Sequence, residues 1–145
     1  MSKKGKVPNP NLKASREAKP KVESKISITL EHLTSNKNYN FDFFGKNFRA
    51  KTQALEYFIE FLALLTAKTR LEIISLPKEE KCGLEQIPFQ QIKIKPRNIE
   101  LGQDTDITVF RFGAGNKYRL LEFFSIKEPV LNIIGFDFNF TAYEH

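Results

Sequence analysis

The chain has 145 residues, 41% hydrophobic and 28% charged, with 14 Phe, one Cys and no Trp, a size and balance that suit one folded domain and exclude a collagen-like or wholly disordered polymer. No apolar run reaches the roughly 18 residues of a membrane-spanning helix, and the basic N-terminus lacks the apolar stretch of a secretory signal. A lone Cys82 supplies neither a disulfide framework nor a zinc cage, so the expectation is a cytoplasmic protein held together by packing, away from membranes, with no metal and no cofactor.

Residues 1–25 hold eight bases and two acids, which accounts for the whole net charge of +6; the other 15 bases and 15 acids cancel over residues 26–145. Three prolines (Pro8, Pro10, Pro20) and few large aliphatics predict a disordered basic arm over 1–25, followed by a single domain over 26–145. Lys3, Lys4 and Lys6 open that arm. Such an aromatic-free run attracts phosphate without reading bases, and its plainer role is a solubilising extension.

Beyond the arm, Ile26, Ile28 and Leu30 alternate with Ser27, Thr29 and Glu31, the two-residue period of a half-buried strand. A turn cluster over 34–38 and renewed alternation from Tyr39 to Phe43 predict an N-terminal hairpin. Leu55, Phe58, Ile59, Leu62 and Leu65 then recur at helical spacing within a segment from about Arg49 to Arg70. Phe61 and Leu64 widen this apolar stripe, predicting a long helix laid across a sheet with little of its surface exposed. Leu71 to Leu76 extends that helix or forms a short second one, limited by Pro77. Lys78 to Gly83 reads as a solvated connection, Gln91 to Lys95 as a strand, and 96–104 as a surface loop.

The last 40 residues or so predict a three-strand meander: Ile107 to Phe112, Tyr118 to Ile126 and Val130 to Phe140, with a glycine-rich turn at 113–116. Seven of the 14 phenylalanines lie there. Ile134, Phe136, Phe138 and Phe140 share one face of the third strand by alternation, and that face is expected to meet the helix. The fold class is α+β: a twisted antiparallel sheet with the helix over one side.

P-loop, dinucleotide, zinc-protease and serine-hydrolase motifs are absent from the sequence, and its histidines are His32 and His145. What remains is polar chemistry on the meander. Arg111 alternates with Phe110 and Phe112, Arg119 follows Lys117 and Tyr118 on the next strand, and Tyr143, Glu144 and His145 close the chain. Guanidinium groups, a phenol and an imidazole on one sheet face are the groups that hold a phosphate, stabilise added negative charge and move a proton. The ordinary alternative pairs Arg111 and Arg119 with Asp137 and Glu122, makes Tyr143 a packing residue and leaves His145 a loose end.

The run Val109-Phe110-Arg111-Phe112-Gly113-Ala114-Gly115-Asn116-Lys117-Tyr118-Arg119-Leu120-Leu121, a third strand and then Ala142-Tyr143-Glu144-His145 resembles the end of a toxin of the RelE/ParE superfamily, over roughly residues 50–145. The resemblance implies a helix-covered antiparallel sheet and a metal-independent endoribonuclease that cleaves mRNA at the ribosome through the 2′-hydroxyl, neutralised by an antitoxin partner. It places transition-state charge on Arg119, substrate binding on Arg111 and Lys117, and proton transfer on Tyr143 or His145. The alternative from a different class is a non-enzymatic module of phage or mobile-element origin that occupies a host protein or nucleic acid. A third reading makes the phenylalanines a dimer interface.

Overall fold

The helical spacing between Leu55 and Leu65 forms helix α1, Phe48–Thr66. In the computed structural model, which describes residues 24–75, 84–124 and 128–144, α1 buries Ala54, Phe58, Phe61 and Leu65. That is the stripe of one helical face, centred one position away from the expected one. Ile59 and Leu64 point outward at 57% and 39% exposure, so the helix keeps a substantial free face. A short helix α2, Arg70–Ile74, follows; Thr69 accepts from the Glu72 N–H and donates its own N–H to the Glu72 carboxylate, a closed capping box.

Five strands form one sheet: β1 (Ser27–Thr29), β2 (Leu84–Pro88), β3 (Asp106–Phe112), β4 (Tyr118–Phe124) and β5 (Val130–Asp137), in the order β1-β5-β4-β3-β2. The meander pairs antiparallel as expected, and β2 extends it. β1 joins β5 in parallel, so the sheet is mixed where the alternation predicts an antiparallel one. The expected N-terminal hairpin does not form. Asn40 accepts the Asp42 N–H at 2.9 Å and winds Phe41–Gly45 into a 3-10 turn, which seats Phe43 in a ring stack on Phe138 at 4.8 Å. Local side-chain capping here outweighs a five-residue alternation. The strand expected at Gln91–Lys95 reduces to one bridge between Ile92 and Tyr143, and the edge strand lies instead at Leu84–Pro88.

The helix-facing core is aromatic. Phe61 stacks on Phe112 with ring centroids 4.8 Å apart, and Phe58 meets Phe136 at 4.5 Å. Edge and offset contacts of this kind add about 0.5–1.5 kcal/mol per pair to area burial. The opposite face carries a second cluster that includes Ile87, Ile94, Ile107, Val109, Leu121 and Ile134. Alternation alone puts Ile134 beside Phe136. The register slips between Leu121↔Gly135 and Glu122↔Ile133, and this one-residue bulge sends Ile134 to the far side while Ile133, Phe136 and Phe138 keep to the helix. Gly135 is required next to it: a Cβ there would come within 2.9 Å of the Tyr39 carbonyl oxygen and 2.8 Å of Ile94 Cδ1. No helix among the described residues is long and apolar enough to cross a membrane.

Glu122 is the exception in the helix-facing core. It is fully buried, and its carboxyl oxygens lack a well-formed hydrogen bond, with Thr108 and the Asn132 main chain the nearest partners. Burial holds its carboxyl well above the usual range; nearby Thr108 and Arg70 oppose this without cancelling it. The folded state therefore keeps a proton that the unfolded chain releases above about pH 4.3, and stability declines with rising pH until the folded state also ionises. The slope reaches at most about 1.4 kcal/mol per pH unit. Urea denaturation between about pH 5 and 8 should show this decline in the native chain and a flatter profile in Glu122→Gln; parallel profiles would contradict a buried neutral carboxyl.

Candidate functional site

The β3–β4 turn decides how the meander's charges meet. Gly113 and Gly115 have φ of 85° and 67°, and a Cβ on Gly113 would lie 2.3 Å from the Tyr118 ring. This turn sets Arg111 directly opposite Arg119, and Arg119 opposite Asp137 on β5. All three belong to the face away from the helix, because Phe110, Phe112, Leu120 and Phe136 occupy the other. The predicted convergence of Arg111 and Arg119 therefore occurs. Tyr143 joins them, its hydroxyl accepting from Arg119 Nε at 3.3 Å and donating to Glu85 Oε2 at 2.9 Å.

Two cations opposite each other repel, and Arg119 is committed to local partners. Its Nη1 donates to the Asn116 carbonyl at 2.6 Å and the Tyr118 carbonyl at 3.0 Å, and its guanidinium carbon lies 4.5 Å from the Phe140 ring centre. Only 7% of the residue is exposed. Arg111 is half-buried, with its Nε out of contact with water and without a hydrogen bond. Neither arginine pairs with Asp137 or Glu122. Asp137 accepts main-chain N–H groups from Asn139, Thr141 and Ala142 at 3.1, 2.8 and 2.8 Å, while Glu122 belongs to the opposite face of β4.

Asp137 thus fastens the terminal turn across the sheet. The Lys93 N–H to Ala142 carbonyl bond at 2.7 Å and the Lys93–Glu144 ion pair at 3.3 Å hold its far end. Tyr143 is consequently 5% exposed. Burial, aided by the Glu85 carboxylate and opposed by Arg119, pushes its phenol up to about 12. At neutral pH it is a hydrogen-bonding strut and a poor proton carrier. His145, Lys3, Lys4 and Lys6 lie outside the described residues, as do Cys82 and residues 1–23 of the arm. Among the described residues no group of three or more His, Cys, Asp or Glu is arranged to hold a metal ion.

The open surface lies at the edge of this cluster. Lys117 and Arg119 line a pocket of about 390 Å³ with Asn116, Tyr118, Asn139 and Phe140. Asn139 also lines two adjoining pockets of about 360 Å³ each, reached by Lys37, Lys46 and Lys51. The three pockets share Asn139, and among the described residues their linings include Lys37, Lys46, Lys51, Lys117 and the largely buried Arg119 against one acid, Asp42, a cationic groove on a body whose formal charge is zero. Lys51 donates to the Phe43 carbonyl and sits 4.0 Å above the Phe43 ring centre. The first turn of α1 contains Arg49 and Lys51 and no acid, the reverse of the usual helix preference, and the positive end of the helix dipole adds to the same field. Sequence reasoning placed Lys117 and Arg119 but missed the groove, since its lysines come from separate polar stretches. The acid-free first turn of α1 was the one signal available.

No family model, curated protein or solved structure matches the chain.

The near end of the strap that seals Tyr143 is held by one carboxylate. Asp137→Ala removes three main-chain acceptor contacts and should cost about 2–4 kcal/mol in urea denaturation. Unchanged stability would show that the terminal turn holds itself.

Proposed function

We propose that this chain is a binding module for single-stranded RNA, with the Lys37–Lys46–Lys117 groove as its contact surface. The observation that carries this reading is the gathering of Lys37, Lys46, Lys51 and Lys117, with the largely buried Arg119, against one acid along aromatic walls, on a body whose formal charge sums to zero. A positively charged groove with accessible aromatic rings suits a flexible polyanion whose bases are unpaired. The basic arm over 1–25 adds counterion-release affinity without sequence preference. In this reading the chain acts by occupying its target, and the partner is RNA, free or in the ribosome.

A second reading is supported by the meeting of Arg111, Arg119, Tyr143 and Glu85 on one face. It is the metal-independent endoribonuclease implied by the resemblance to RelE/ParE-type toxins. That chemistry needs the terminal turn to lift, because Arg119 and Tyr143 are otherwise 7% and 5% exposed and bonded within the fold.

Fluorescence anisotropy with a short single-stranded RNA separates the outcomes, run with chelator present and with the RNA recovered afterwards. Lys37→Ala, Lys46→Ala and Lys117→Ala combined should weaken binding at least about tenfold and flatten the log affinity against log salt slope by about 2. Intact RNA held in stoichiometric complex is the predicted result. Chelator-resistant turnover would favour the nuclease reading, and affinity indifferent to these lysines would contradict the groove.

A further inference from the structure

Phe140 occupies a position that a bulky residue rarely takes. Its φ is 63°, in the left-handed region that disfavours aromatic side chains. The residues around it hold it there. Asp137 fixes the main chain of Asn139, Thr141 and Ala142, and Arg119 lies against the ring. The residue is nonetheless 42% exposed and lines the pocket of about 390 Å³. Backbone strain that surrounding bonds enforce, at a residue presenting apolar surface to a cavity, is the arrangement found at ligand-binding positions.

The rest of the pocket has matching chemistry. Its volume falls within the roughly 300–1,000 Å³ of small-molecule sites. Asn116, itself at a φ of 55°, and Asn139 line it, each offering an amide with both donor and acceptor. The hydrogen bonds these residues make to Arg119 and Asp137 run through main-chain atoms, so neither occupies a side-chain amide. Lys117 lies exposed on the same pocket wall.

We propose that this pocket is a nucleobase subsite, taking one unstacked base against Phe140, with the base edge facing Asn116 and Asn139 and the adjoining phosphate at Lys117. The inference rests on the RNA-binding reading and deepens it: the groove supplies charge, and this pocket supplies contact with a base. Stacking on an aromatic ring is tolerant of base identity, while the two amides give a preference among base edges.

The test uses the full chain and two oligomers of equal length and charge, a uridine oligomer and its abasic counterpart, compared by anisotropy. The native chain should bind the base-bearing oligomer about 5- to 100-fold more tightly. Phe140→Ala should lose that preference while keeping the salt dependence, and Phe140→Trp should retain it. Equal affinity of the native chain for both oligomers, or a preference undiminished in Phe140→Ala, overturns the subsite but leaves the charged groove standing. Absence of binding to either oligomer overturns the RNA-binding reading and the subsite together.

Discussion

One helix can cover only one face of a sheet, and the arrangement of this protein follows from that shortage. α1 covers the side carrying Phe110, Phe112, Leu120 and Phe136 with its own Phe58 and Phe61. The other side carries equally apolar residues, among them Ile107, Val109, Leu121 and Ile134, and no second long helix is available among the described residues to shield them. Loop segments do so instead. Ile94, Leu101 and Tyr39 pack on this side from irregular chain, and the terminal turn lays Ala142 and Tyr143 across it. Irregular segments need their main-chain polar groups satisfied when they are buried. Asp137 does this for the terminal turn, accepting three N–H groups from one buried position.

That solution determines what the arginines do. Arg111 and Arg119 emerge on the face that the loops must cover, and the covering turn meets Arg119 first. Its guanidinium is divided among two carbonyls, a phenol and an aromatic ring. A group so saturated fixes the β3–β4 turn and Phe140 in place more readily than it captures a substrate phosphate. The chemistry left open is displaced to the end of the meander. There Asn139 joins the pocket of Lys117 to the pocket of Lys37, Lys46 and Lys51.

The sequence conveyed long-range periodicity well and local competition poorly. α1 was legible because an apolar stripe sustained over Leu55 to Leu65 at a 3.6-residue period fits a helix and no strand, and the meander because Gly113 and Gly115 punctuate it. The Tyr39–Phe43 alternation misled because the Asn40 side chain captures the Asp42 N–H and turns the chain before a strand can pair. The face of Ile134 was illegible because a bulge depends on register against β4, which no single strand encodes. Arg111 and Arg119 share a face because strand alternation fixes one, whereas Tyr143 reaches Arg119 from the terminal turn; their burial was not legible, since it depends on a strap held by Asp137. Glu85, the acceptor of the Tyr143 hydroxyl, lies on a strand whose Leu-Glu-Gln-Ile sequence lacks a clear period.

If the chain binds RNA as proposed, the polymer lies along the rim between α1 and the end of β5 and not on the strapped face of the sheet. Ultraviolet cross-linking of the full chain to a uridine oligomer, with the attached peptides read by mass spectrometry, tests it directly. Adducts concentrated on residues 37–51 and 115–119 and on Phe140 are the predicted result. Adducts confined to Glu85, Arg111 and Tyr143 would place the polymer beneath the terminal turn and contradict the account.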